Sequence, residues 1–316
     1  MKLLQTLHPI FLFALTTTVL DAQARVLPEF PPQGKIRVVI DTDAANEIDD
    51  QHAITLALLS PERFQIEGFV AANFGDTGGE HGVDRSFAEI KQVLEKAHMA
   101  GKYPVKHGSD PLRYSNKPEN SEGVDFIIER AMDPSQSSPL WVIGLGAATD
   151  IASAYLKEPR IKDRVVVLWH GRTQWPEKCW NFNVYNDVRA ARVLFASDLP
   201  FILFDTGAEL TLPMAEDQAR IRPLGELGQY LYDIRFRNPA WQSPTKGIFD
   251  LGDIAALVQP PLVKFEMVAV PSVNWDLAYD HQHTHGRMVR IYSIDREGTL
   301  ELLESRLRRA AASGSR

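Results

Sequence analysis

Short runs of apolar, often β-branched residues alternate along the chain with longer stretches whose apolar positions recur at helical spacing. The first run, Ile36-Arg37-Val38-Val39-Ile40, predicts a buried strand and leads straight into Asp41-Thr42-Asp43. A helix is predicted from about Asp49 to Leu59, with Pro61 stopping it. The same alternation predicts strands at Phe64–Ala71, Leu140–Leu145, Val165–Trp169 and Phe201–Phe204. Helices are predicted around Arg85–Ala97, Thr149–Leu156 and Val188–Ala196. Strands alternating with helices imply an α/β fold: a mostly parallel sheet with helices on both faces, Rossmann-like in layout. Ligands of such sheets collect at the carboxyl ends of the strands. The polar clusters fall there: Asp41-Thr42-Asp43, Ala72-Asn73, Gly146-Ala147-Ala148-Thr149 and His170-Gly171.

The pattern changes at both ends. Lys2, the apolar stretch around Ile10–Leu15 and the small-x-small triplet Ala22-Gln23-Ala24 have the layout of a secretory signal peptide over residues 1–24. Cleavage after Ala24 would give a secreted or periplasmic protein with no membrane attachment. Residues 25–34, with Pro28, Pro31, Pro32 and Gly34, are expected to form a linker. A single domain is expected over 35–310, followed by a flexible tail at 311–316.

Composition narrows the partners. The 316 residues carry a formal net charge of −7, and no basic stripe interrupts them. Binding to a nucleic acid polymer is therefore not expected, whereas a small molecule or a cation fits. A homo-oligomer is compatible with the sequence. The one cysteine, Cys179, cannot form an intrachain disulfide and is expected to be an unpaired, partly buried residue.

Asp41, Asp43, Glu47, Asp49 and Asp50 crowd within ten positions at the end of the first strand. All are hard oxygen donors with no histidine or cysteine between them, a set that suits calcium or magnesium rather than zinc. The spacing is not that of an EF-hand loop. On composition alone two readings stand: a cation site, or a solvated acidic turn capping a helix.

The segment Asp41-Thr42-Asp43-Ala44-Ala45-Asn46-Glu47-Ile48-Asp49-Asp50 resembles the signature of the inosine-uridine nucleoside hydrolases: an Asp-x-Asp pair, a turn, then Asp-Asp opening a helix. The turn is longer here and lacks the usual Pro-Gly. Further likenesses follow in order: Ala71-Ala72-Asn73, Tyr103-Pro104-Val105-Lys106-His107-Gly108, Gly146–Ala152, Asn181-Phe182-Asn183-Val184 and Gly252-Asp253-Ile254-Ala255-Ala256. The resemblance implies the nucleoside hydrolase fold and calcium-dependent hydrolysis of the N-glycosidic bond of nucleosides or related N-ribosides. It implies that Asp43 binds Ca2+ and acts as general base on a metal-bound water, with Asp50, Asp253 and the carbonyl of Thr149 completing the metal site. Asp49, Asn73 and Asn183 would hold the sugar, and Asn181 stands where the family usually has a sugar-contacting glutamate. Gly252 stands where purine-active members often carry a histidine that helps the base leave. Donors to that base could come from His170, Tyr279 or the cluster His281, His283, His285, which can also be read as a zinc site or an exposed loop. Trp175 and Trp180 flank the sugar segment and could stack on a base. The alternative function is a non-catalytic or differently specific carbohydrate-binding protein on the same fold.

Overall fold

The computed structural model describes residues 25–75 and 81–314, so the expected signal peptide lies outside the described residues. Among the described residues ten strands follow in order: β1 (Ile36–Thr42), β2 (Phe64–Ala71), β3 (Val105–His107), β4 (Leu140–Gly144), β5 (Val165–His170), β6 (Phe201–Phe204), β7 (Thr211–Pro213), β8 (Thr245–Gly247), β9 (Val263–Val273) and β10 (Tyr279–Ile294). Eight form one sheet in the order β3-β2-β1-β4-β5-β6-β10-β9, and β7 pairs with β8 in a small ribbon. Every pair in the large sheet is parallel except β10 with β9.

The side chains explain why this sheet is covered on both faces. Residues alternate between faces along a strand. In β1, Val38 and Ile40 enter one apolar layer and Val39 the other. Trp141 and Ile143 of β4 likewise join the first layer, and Leu140 and Val142 the second. Helices Asp49–Leu58, Leu251–Val258 and Arg296–Gly314 cover the first face; Glu122–Met132, Thr149–Lys157 and Val188–Ala196 cover the second. Both strand faces being buried, the strands carry near-continuous apolar runs.

β1 lies between β2 and β4. The connection after β1 returns over one face and the one after β4 over the other, so the two loops part above the sheet edge. Such a switch point leaves a crevice at the carboxyl ends of the strands. The loop after β1 and the turn Leu145-Gly146 after β4 enter that crevice together.

Residues 25–34 contain no helix or strand, and Arg25, Pro28 and Pro32 are buried while Val26, Glu29, Gln33 and Gly34 are exposed. The Arg25 guanidinium is buried and donates to the carbonyls of Leu194, Phe195 and Ser197, at the C-terminal end of the helix Val188–Ala196, where backbone carbonyls outnumber the amides available to them. At the other end, the last helix continues to Gly314, so regular structure reaches into residues 311–314 of the expected tail. Among the described residues no helix is long and apolar enough to cross a membrane.

Candidate active site

The acidic cluster is not a solvated turn. Asp41, Asp43, Asp49 and Asp50 are all buried, the most accessible being Asp49 at 7%. Asp49 and Asp50 open the helix Asp49–Leu58, where the exposed amides and the helix dipole favour negative charge. Thr42 donates its hydroxyl to Asp50, and the backbone amide of Phe249 donates to Asp49 at 3.2 Å. Glu47, further out, pairs with Lys246.

A cavity of about 360 Å³ opens over this cluster. Asp43, Asp49 and Asp50 line it, and so does Asp250, delivered from two hundred residues away. Oxygens of Asp49, Asp50 and Asp250 lie within 4.8 Å of one another. Burial raises the pKa of each of these carboxyls. Asp43 is pushed up to about 8, first by burial and then by Asp49. Asp50 and Asp250 are held well above the usual range, by burial and then by the neighbouring aspartates. Asp49 is raised by burial and partly pulled back by His170. One Asp43 oxygen and both Asp41 oxygens are buried without a hydrogen-bond partner. Buried carboxylates left this way require either protons or a cation.

Asp43 is held by close packing. A Cβ on Gly146 would sit 3.1 Å from the Asp43 carboxyl carbon, so a glycine there lets the turn after β4 press against the acid. Leu145, one residue earlier, lines the cavity, and its carbonyl accepts from Asn183 at 2.8 Å.

The structure redistributes several of the expected site residues. Asp253 is fully buried and does not line the cavity; its carboxylate binds His170 Nδ1 at 2.6 Å. Asp250 takes the cavity position, and Asp253 stays close behind it: ligand atoms of His170, Asp250 and Asp253 lie within 4.8 Å of one another. The two are three residues apart, one at the N-terminus of the helix Leu251–Val258 and the other in its first turn. They therefore point the same way at different depths, a distinction that spacing does not reveal. Gly252 faces the core, where a Cβ would come 2.5 Å from the Phe204 ring, so its lack of a histidine does not bear on the cavity. Thr149 is also off the cavity wall, and its hydroxyl donates to Asp187 at 2.9 Å. Asn73 is buried away from the wall, against Gly82.

Asn181 and Asn183 do line the cavity. Asn181 is partly committed elsewhere: its oxygen caps the helix Phe182–Asn186 by accepting from Val184 at 2.7 Å. The aromatic wall is Phe182, Trp241 and Phe249. Trp175 packs instead on Tyr279 and His281, and Trp180 on Tyr185.

His281, His283 and His285 lie on β10 and do not line the cavity. Each has its own partner: the Pro176 carbonyl, Asp280 and Asp198. His170 alone of the expected donors is on the wall. Cys179 is buried, and burial pushes its thiol up to about 12, which removes it as a nucleophile. Sequence reasoning missed Asp250, Phe249, Arg172 and Lys246 altogether. The one available signal was an aspartate immediately preceding an apolar helix.

Comparison with known proteins agrees with this geometry. A search of curated protein sequences found no significant match. Among solved structures the chain is similar to a plant nucleoside hydrolase, with 18% identity, TM-score 0.67, and coverage of 86% of this chain and 98% of that one. It is similar to a purine-preferring ribonucleoside hydrolase from Gardnerella vaginalis, with 20% identity, TM-score 0.67, and coverage of 87% and 99%. An effector protein is similar at 15% identity and TM-score 0.67, with coverage of 89% and 95%. At these identities the likeness establishes the fold. Residues 38–310 match the profile described as inosine-uridine preferring nucleoside hydrolase, a span that includes every strand from β2 to β10 and each carboxylate of the cavity. With that match over most of its length, the chain belongs to the inosine-uridine preferring nucleoside hydrolase family, whose members are N-glycosidases.

Proposed function

We propose that the protein hydrolyses the N-glycosidic bond of nucleosides or related N-ribosides in a calcium-dependent way, with Asp43 as the general base. The observation that carries this reading is the convergence of Asp43, Asp49, Asp50 and Asp250 on one buried cavity, with an Asp43 oxygen left unpartnered. The donor set is all oxygen and strongly acidic, which fits calcium. Asp43, Asp50 and Asp250 would hold the ion, with the Leu145 carbonyl beside them. Bound calcium would supply positive charge that keeps these acids ionised and makes a nearby water more acidic.

The remaining work falls to the chain's own groups. Asp43 takes a proton from the attacking water. As the base departs, the sugar ring gains positive charge, and the buried carboxylates stabilise it. Asp49 accepts from sugar hydroxyls, and Asn183 offers its side-chain oxygen beside it. Phe182, Trp241 and Phe249 pack against the base. His170, fixed at Nδ1 by Asp253, offers Nε2 as a hydrogen-bonding group for the departing base.

Incubation with a panel of nucleosides, first with calcium and then with a chelator, tests this reading. The expected result is release of free base that stops on chelation. Tight calcium binding without release from any nucleoside would favour the carbohydrate-binding alternative. Export is also part of the proposal: N-terminal sequencing of the secreted form is expected to begin at Arg25.

A further inference from the structure

We propose that the substrate read by this cavity carries an oxyanion, and that Arg172 is the residue that reads it. The proposal rests on the N-riboside hydrolase reading above and deepens it, naming the substrate class as an anionic N-riboside.

Arg172 stands just beyond β5, two residues after His170, and lines the cavity. Its backbone lies in the left-handed region, with φ at 40°. For a non-glycine residue that conformation costs on the order of 1 kcal/mol and persists where the surroundings impose it. Here the amide of Arg172 donates to the Phe204 carbonyl at 3.0 Å, which pins the turn. The guanidinium carbon then sits 3.7 Å from the centroid of the Phe249 ring, on the wall of the cavity.

That guanidinium is incomplete. Among the described residues it makes no side-chain hydrogen bond and no ion pair; the ring contact uses none of its five N–H donors. Other partly or fully buried arginines of the protein have acceptors: Arg37 pairs with Glu67, Arg235 with Asp217 and Arg290 with Asp205, while Arg25 and Arg192 donate to backbone carbonyls. Asp49 feels the charge of Arg172 but does not pair with it. The second cation of the wall, Lys246, is already paired with Glu47. Arg172 is therefore a held, half-buried fork of donors facing a ligand cavity with no protein acceptor.

A neutral nucleoside offers such a fork only hydroxyls and amides. A carboxylate or phosphate matches it with two parallel charge-assisted bonds. The oxyanion could be a phosphate on the sugar or an acidic group on the base. Contacts of this kind correspond to about 10–100-fold in affinity or specificity.

The test compares kcat/KM, with calcium, for uridine, inosine, their 5′-monophosphates and orotidine, whose base carries a carboxylate. At least one anionic substrate is expected to exceed its neutral counterpart by tenfold or more. Arg172→Ala is expected to shrink that ratio about 10–100-fold, and Arg172→Lys to restore part of it. The arm that gains locates the oxyanion on sugar or base. Cleavage of neutral nucleosides with no anionic preference overturns the proposal and leaves the hydrolase reading standing. So does an equal loss on all substrates in Arg172→Ala, which would make Arg172 only a support for Asp49. If no substrate releases its base, the hydrolase reading falls. Calorimetry with ribose 5-phosphate against ribose then decides: a preference lost in Arg172→Ala upholds the anion site, and no preference overturns it.

Discussion

At the scale of single residues, the site is a problem of buried charge. Asp43 combines an unpartnered oxygen with close packing against Gly146, so its carboxyl is positioned and poorly solvated. Asp43→Asn keeps the shape and removes the base. We expect kcat to fall by about 10²–10⁴ while circular dichroism and thermal melting show an intact fold. Wild-type turnover in that variant would remove Asp43 from the mechanism. Asp250 and Asp253 separate by a different measurement. Asp250→Asn is expected to weaken calcium binding about tenfold or more in titration calorimetry. Asp253→Asn is expected to weaken it far less and to lower kcat instead, through a misplaced His170. The reverse ranking would return Asp253 to the cation.

At the scale of elements, the helix Leu251–Val258 decides which groups reach the cavity. Its Gly252 packs on Phe204 and Leu210, both fully buried. Gly252→His is therefore expected to destabilise the protein by about 1–3 kcal/mol in denaturant melts, with no gain in release of purines. A gain in purine turnover would show that the helix presents this position to the substrate after all. The same elements show what was legible in the sequence. β1, β2, β4, β5 and β6 are interior strands announced by runs rich in Val, Ile, Leu and Phe; β6 is wholly apolar, and only Arg37 interrupts β1 before Asp41. β9 and β10 were not legible. β9 is the sheet edge, and the charged Lys264 and Glu266 break up its exposed first half, so its apolar run at residues 267–270 is short. The helix Glu122–Met132 was also missed, although its Ser121 cap and apolar spacing were present in the chain. At the site, Asp43, Asp49 and Asp50 were legible because one strand and one helix carry them contiguously. Asp250 and Arg172 were not, because their position depends on helix phase and on one left-handed residue, neither of which sequence spacing encodes.

At the scale of the whole molecule, the cavity couples stability to pH and to the cation. Asp43 is raised to about 8 and Asp41, Asp50 and Asp250 are raised well above 3.8, chiefly by burial. The folded protein without a cation therefore holds protons that the unfolded chain has released. Stability from these groups is fully present below about pH 4 and is lost as pH rises toward and through about 8. A divalent cation takes the place of those protons, so its binding releases protons and tightens with rising pH. In chelator, the Tm is expected to fall between pH 5.5 and pH 8. Saturating calcium is expected to raise the Tm at both values, and by more at pH 8, because binding there displaces fewer protons. Scanning calorimetry at the two pH values, with and without calcium, measures both differences. A calcium increment that is equal at both pH values, or larger at pH 5.5, would mean that the ion binds away from these buried acids and that protons alone balance them.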